Sequence, residues 1–170
     1  WWTDLWLNEG FASWMEYLAV DTLFPEWDLW TQFSVDEQQS ALKADALEFT
    51  HPIEVPVHHP DEIRTIFDII SYQKGASVIH MLNDYLGAKD FQAGLQHYLK
   101  KFAYKNAETR DLWQALEDIS GKPVTTFMQT WTSKSGYPLL SVELENNSLI
   151  CEQKRFVLNP ESTARNDTTL

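Results

Sequence analysis

With 170 residues, 44% of them hydrophobic and 14% aromatic, the chain can bury one core, or one domain plus a piece of another, and is not disordered. A net charge of -12 and a pI near 4.7, with Lys100 and Lys101 as the single small basic cluster, exclude a nucleic-acid surface, which needs clustered Lys and Arg. One cysteine, Cys151, excludes an internal disulfide and a multi-cysteine metal site and agrees with a reducing compartment, and no apolar run is long enough to span a bilayer.

The chain opens on "WWTDLWLNEGFASWMEYLAVD", which predicts a helix with Leu7, Phe11, Trp14, Met15 and Leu18 on one wide apolar face. Glu9 and Glu16 fall on the other side, seven residues apart and so roughly 10 Å apart along the axis. They cannot both ligate one metal ion directly. Gly10, Ala12 and Ser13 are small, so another element can approach the acidic face closely. Two readings stand: a solvated acidic face, or Glu9 as a metal ligand with Glu16 orienting other ligands.

Helical patterns continue to about residue 135. "FPEWDLWTQFSVDEQQSALKADALEF" predicts a second long helix with Pro25 in its first turn, and the proline-rich "THPIEVPVHHPDEI" predicts an extended connector. "FDIISYQKGASVIHMLNDYLG" ends at Gly87 as a C-terminal cap. "DFQAGLQHYLKKFAYKN" and "TRDLWQALEDISG" follow, the latter with Thr109 as N-cap and Gly121 as stop, then "PVTTFMQTWTSKSG" with Pro123 at its start. Beyond Gly136 the period changes: "LLSVELE", "NN" and "SLICEQKRF" predict a β hairpin that belongs to a larger sheet, since two strands alone are marginal in water. The tail "NPESTARNDTTL" is polar and expected to fray. The eight Trp, among them Trp1, Trp2, Trp6 and Trp14, are most simply core residues.

Two stretches carry a family resemblance. "WLNEGFASWMEYLAVD" resembles the second zinc-binding segment of the gluzincin aminopeptidases, the aminopeptidase N and puromycin-sensitive aminopeptidase family, and "FDIISYQKGASVI" resembles the segment carrying that family's catalytic tyrosine. "WTSKSGYPLLSVE" is similar to the family's passage into a β-sandwich domain, while "FPEWDLWTQF", "HPIEV" and "ISGKP" resemble the cytosolic puromycin-sensitive type most closely. The resemblance implies a mainly α fold, with residues 1–135 the C-terminal helical part of a thermolysin-like catalytic domain and residues 136–170 the first strands of a β-sandwich plus the polar tail.

It also implies zinc chemistry on peptide substrates. In the family an H-E-x-x-H helix supplies two histidine ligands and a general base, and a Glu roughly eighteen residues later completes the site. Glu9 matches that third ligand, Glu16 an acid that orients ligands, and Asn8 a brace for the helix start. Tyr72 matches the phenol that stabilises the oxyanion, although on pattern alone a Tyr on an apolar helix packs its ring and satisfies its hydroxyl locally. Gly75 is expected to leave room for substrate, and Phe67 either lines the pocket or packs in the core. By the family spacing the second histidine lies about ten residues before Trp1. No two of His51, His58, His59, His80 and His97 are four residues apart, and the adjacent His58 and His59 suit a connector better than a chelate.

The expectation is therefore an internal part of a longer zinc aminopeptidase, cytoplasmic or else membrane-anchored or secreted. Its partners are peptides and the remaining segments of its own polypeptide, and the part alone is expected to bind Zn2+ weakly or not at all and to be inactive. The alternative is a non-catalytic helical interaction or scaffold module related to the family, which the residues preceding Trp1 distinguish by presence or absence of H-E-x-x-H.

Overall fold

In a computed structural model that describes residues 1–169, seven helices are followed by one hairpin. They are α1 (Leu5–Leu23), α2 (Leu29–Phe33), α3 (Gln39–Asp45), α4 (Gly75–Leu86), α5 (Ala88–Lys101), α6 (Thr109–Ser120) and α7 (Val124–Ser133), then β1 (Pro138–Glu145) and β2 (Ser148–Arg155). The mainly helical fold expected from the sequence is the one observed.

The core is aromatic and aliphatic: Trp6, Trp14, Phe33, Ile79, Leu82, Phe91, Leu112, Leu116 and Met128 are all buried. Helix α1 packs on α4, α4 on α5, α5 on α6 and α6 on α7. The buried face of α1 is Leu5, Trp6, Gly10 and Trp14, while Met15 is exposed. That is a rotation from the expected face, and its cause is Gly10. A Cβ there would stand 3.1 Å from the Gly75 carbonyl carbon and 3.2 Å from Gly75 Cα, so the two backbones touch where a wheel of apolar side chains predicts no contact. The close approach expected beside Glu9 occurs at this point.

The second long helix is broken where the sequence suggested continuity. Pro25–Trp27 form one tight turn, Asp28 adopts φ 51, and only then does α2 begin; a five-residue wide turn, Ser34–Gln38, joins it to α3. The proline-rich connector is irregular and then winds into a tight turn, Pro60–Ile66. There His59 caps the chain by accepting from the Asp61 amide, while the Glu62 carboxylate accepts from the His58 and His59 amides. Gly87 and Gly121, with φ of 87 and 66, end their helices as expected. Thr109 is the first residue of α6 rather than its cap: Glu108 takes the cap position, and Thr109 gives its amide and hydroxyl to Asp4 at 3.0 and 2.7 Å.

Asn146 and Asn147, with φ of 46 and 68, make the two-residue turn that sets the hairpin register, Glu145 opposite Ser148 and Pro138 opposite Arg155. Both strands are exposed along nearly their full length. The tail does not fray over its described residues. Within it Ser162 is buried and the Asp167 carbonyl accepts from the Arg155 amide, and just before it Val157 is buried and the Leu158 amide donates to the Ala46 carbonyl. Residue 170, the end of that predicted tail, lies outside the described residues. Trp1, Trp2 and Trp27 are exposed rather than core; Trp2 sets its ring edge-on to Phe67, with centroids 6.5 Å apart.

Candidate functional site

Tyr72 lies in a five-residue π turn, Ile70–Lys74, that leads directly into α4. Such turns carry one residue more than an α-helix would and so re-aim the side chains they hold. Because Gly75, three residues on, touches Gly10 of α1, the turn is drawn against the acidic face of that helix. The half-buried residues Tyr72 and Glu9 thereby meet, the phenol hydroxyl beside the carboxylate. The phenol is pushed above its ordinary pKa by burial first, then by hydrogen bonding to Glu9 and by the negative charge of that residue. Tyr72 therefore stays protonated and remains a hydrogen-bond donor. No Lys, Arg or His pairs with Glu9 among the described residues.

The other expected site residues are placed differently. Glu16 is exposed, and its charge acts on the neighbouring Tyr17, whose phenol burial and Glu37 push up to about 12. Asn8 is exposed on the rim of a cleft of about 400 Å³ formed with Asp4, Leu7, Tyr98 and Phe102. Phe67 is 45% exposed and touches Trp2, so it is not core. Gly75 does not open space: it fills a helix crossing, with Gly10 Cα 3.3 Å and the Trp6 ring 3.6 Å from where its Cβ would be. The one histidine of α4, His80, is a packing residue. Trp14 Nε1 donates to its Nδ1, Trp30 stacks on it at 4.2 Å, and burial lowers its pKa.

Two features brace the Tyr72 turn that the sequence reading did not single out. Lys74 is buried and pairs with buried Asp45 at 2.8 Å, while its ammonium also donates to the carbonyls of Lys134 and Gly136. Burial pushes the Lys74 amine down, and Asp45 holds it up. On the other flank Asp68 Oδ1 accepts from the Ile70 and Ser71 amides at 3.0 and 3.2 Å, and Asp68 Oδ2 meets His51 Nε2 at 2.7 Å. A signal for Asp68 was present, since an Asp just before an apolar helical run is an N-cap pattern. A lysine on an apolar helix face carries no comparable signal.

Comparison with known proteins shows the family. The peptidase family M1 domain model matches residues 1–131. The chain belongs to peptidase family M1. Among relatives, aminopeptidase M1-D of Oryza sativa subsp. japonica is 59% identical over 162 residues, which are 95% of this chain and 18% of that protein. Aminopeptidase M1 of Arabidopsis thaliana is 57% identical over 157 residues, 92% of this chain and 18% of the relative. Alanine/arginine aminopeptidase of Saccharomyces cerevisiae is 46% identical over 170 residues, 100% of this chain and 20% of the relative. This M1 chain thus spans about a fifth of the length of such relatives.

Glu9, a half-buried carboxylate facing a phenol and without a cationic partner among the described residues, has the donor chemistry of one metal ligand, whereas a zinc site uses three or four. Among the described residues no three His, Cys, Asp or Glu side chains gather around it. No helix of the described residues is long and apolar enough to cross a membrane.

Proposed function

We propose that the whole protein is a zinc aminopeptidase, removing the N-terminal residue from peptides, and that this chain supplies one metal ligand, Glu9, and one catalytic donor, Tyr72. The observation carrying this reading is the meeting of the Glu9 carboxylate and the Tyr72 hydroxyl at the Gly10–Gly75 crossing. When bound, the metal supplies a Lewis acid and an activated water for attack on a peptide carbonyl. Glu9 holds the negative charge that attracts the cation. Tyr72, kept protonated, offers its O–H where negative charge develops on the carbonyl oxygen, and a donor fixed before the reaction favours the transition state over the ground state. Glu16, exposed and nearly two turns along α1 from Glu9, would orient ligands supplied by segments outside these residues. Two further ligands and a general base are needed for such a site, so the 170-residue chain by itself is proposed to be inactive.

The test is substitution in the full-length protein, with metal content by mass spectrometry beside steady-state kinetics. Glu9→Ala loses zinc and activity together. Tyr72→Phe keeps zinc and lowers kcat by roughly 100-fold or more, as loss of an oxyanion donor does. Stoichiometric zinc in Glu9→Ala, or an intact rate in Tyr72→Phe, refutes the assignment.

A further inference from the structure

The π turn that carries Tyr72 is anchored at its start by a single side chain. Asp68 Oδ1 takes the amides of Ile70 and Ser71, at 3.0 and 3.2 Å, and the Asp68 main-chain carbonyl takes the Tyr72 amide at 3.1 Å. The second carboxylate oxygen lies 2.7 Å from His51 Nε2, and His51 Nδ1 lies 2.7 Å from the Pro52 carbonyl oxygen. Both ring nitrogens of His51 thus face oxygens that can only accept. A neutral imidazole carries one N–H and one lone pair, and either tautomer would set that lone pair against an acceptor at hydrogen-bond distance. The geometry calls for the doubly protonated ring.

We propose that His51 and Asp68 are positioning residues for Tyr72: an imidazolium clamped between the Pro52 carbonyl and the Asp68 carboxylate holds Asp68 as the cap of the π turn, and through it fixes where the phenol points. The proposal rests on the reading of Tyr72 as the oxyanion donor. The charged groups around His51 agree with it. The Asp68 hydrogen bond raises the pKa of the ring against the cost of burial, and the Lys74 ammonium, the other charge acting on it, opposes this more weakly. Loss of the His51 proton at alkaline pH leaves one N–H for two acceptors and removes the positive charge facing the Asp68 carboxylate, which weakens the clamp and loosens the turn.

The experiment uses the full-length, zinc-loaded protein with His51→Ala, Asp68→Ala, Asp68→Asn and Tyr72→Phe. Misplacement of a catalytic group by an ångström costs up to about 100-fold, so His51→Ala and Asp68→Ala are expected to lower kcat by roughly 10- to 100-fold. KM should stay within about twofold, because the displaced donor acts in the transition state. Asn retains an oxygen for the Ile70 and Ser71 amides but no charge for His51, so Asp68→Asn should keep most of kcat at acid pH and move the alkaline limb of the kcat profile to lower pH. Hydrogen exchange of a peptide covering residues 68–76 should accelerate in His51→Ala and Asp68→Ala. Unchanged exchange in that peptide overturns the proposal whatever Tyr72 does, as does an intact kcat in both alanine variants where Tyr72→Phe is impaired. Faster exchange together with an intact rate in Tyr72→Phe overturns the catalytic reading instead, and positioning for catalysis falls with it.

Discussion

Gly10→Ala tests whether the helix crossing sets the site. The added Cβ would lie 3.1 Å from the Gly75 carbonyl carbon, 3.2 Å from Gly75 Cα and 3.3 Å from the Ala76 nitrogen. All three are main-chain atoms, so no side chain can swing aside. Favourable carbon contacts begin at about 3.5 Å, and α1 must therefore move off α4 by a few tenths of an ångström. Overpacking of this kind costs about 1–3 kcal/mol. Replacing a helical Gly by Ala returns about 1 kcal/mol of helix propensity, which leaves a net loss of up to about 2 kcal/mol. Gly75→Ala should cost less, since its Cβ would meet Gly10 Cα at 3.3 Å and the Trp6 ring at a tolerable 3.6 Å. Both are measured as urea midpoints of the purified chain by Trp fluorescence, and the same substitution in the full-length protein should lower kcat for an aminoacyl chromogenic substrate by about tenfold through the shifted Glu9–Tyr72 geometry. A Gly10→Ala chain stabilised by the full propensity gain would refute the argument, because it would mean that the backbones have room to spare.

Asp45→Asn strands the buried Lys74 ammonium and should destabilise by about 3–5 kcal/mol, whereas Asp45→Asn combined with Lys74→Met should recover much of that loss; a double-mutant cycle in urea measures the coupling. The His51–Asp68 pair gives stability a pH window. The His51 pKa is raised above its ordinary 6.5 by the Asp68 hydrogen bond, so its contribution is complete below 6.5 and fades as pH rises through the raised value. Burial pushes the Asp68 carboxyl up, but the His51 hydrogen bond and the Ser71 and Ile70 amides together hold it below its ordinary 3.8, so its contribution is complete above 3.8 and is lost as pH falls through the lowered value. The difference in urea midpoint between the unaltered chain and Asp68→Asn should accordingly be largest between those two values, and a difference that stays flat on moving to alkaline pH would contradict it.

Much of the fold was legible because its signals are local. Gly87 and Gly121 end helices by adopting φ above zero, and the Asn146–Asn147 pair turns the hairpin for the same reason, so residue type alone marks these places. The long helix after Leu23 was misread because nothing in its apolar spacing reports the left-handed Asp28 that interrupts it. The tail was misread because its polar composition hides the buried Ser162, and its hold comes from the Asn159 side-chain bond to Glu48 and, just before it, the Leu158 amide bond to the Ala46 carbonyl. These contacts join residues about a hundred positions apart, and no local pattern encodes them.

The candidate site was legible in its parts and not in its assembly. Glu9 and Tyr72 each stood out by residue type and by the motif around them, yet a helical wheel set Glu9 on a face away from the core. Two departures from regular packing bring them together. Gly10 lets a neighbouring backbone press on the acidic side of α1, which no apolar-face analysis scores, since glycine contributes no side chain to the face. The π turn then adds a residue between Ile70 and Lys74, and one extra residue offsets the faces before and after it by about 100°. A regular 3.6-residue wheel drawn from Ile70 to Leu86 therefore cannot relate the direction of Tyr72 to the apolar stripe of Val78, Ile79 and Leu82. Wide turns cost backbone regularity and persist where neighbours hold them in place. Here the holders are identifiable: Asp68 and His51 at the start, Lys74 with Asp45 at the end, and Gly75 against Gly10 just beyond. Three independent anchors hold this one five-residue turn, as the role proposed for Tyr72, a preorganised hydrogen-bond donor, requires.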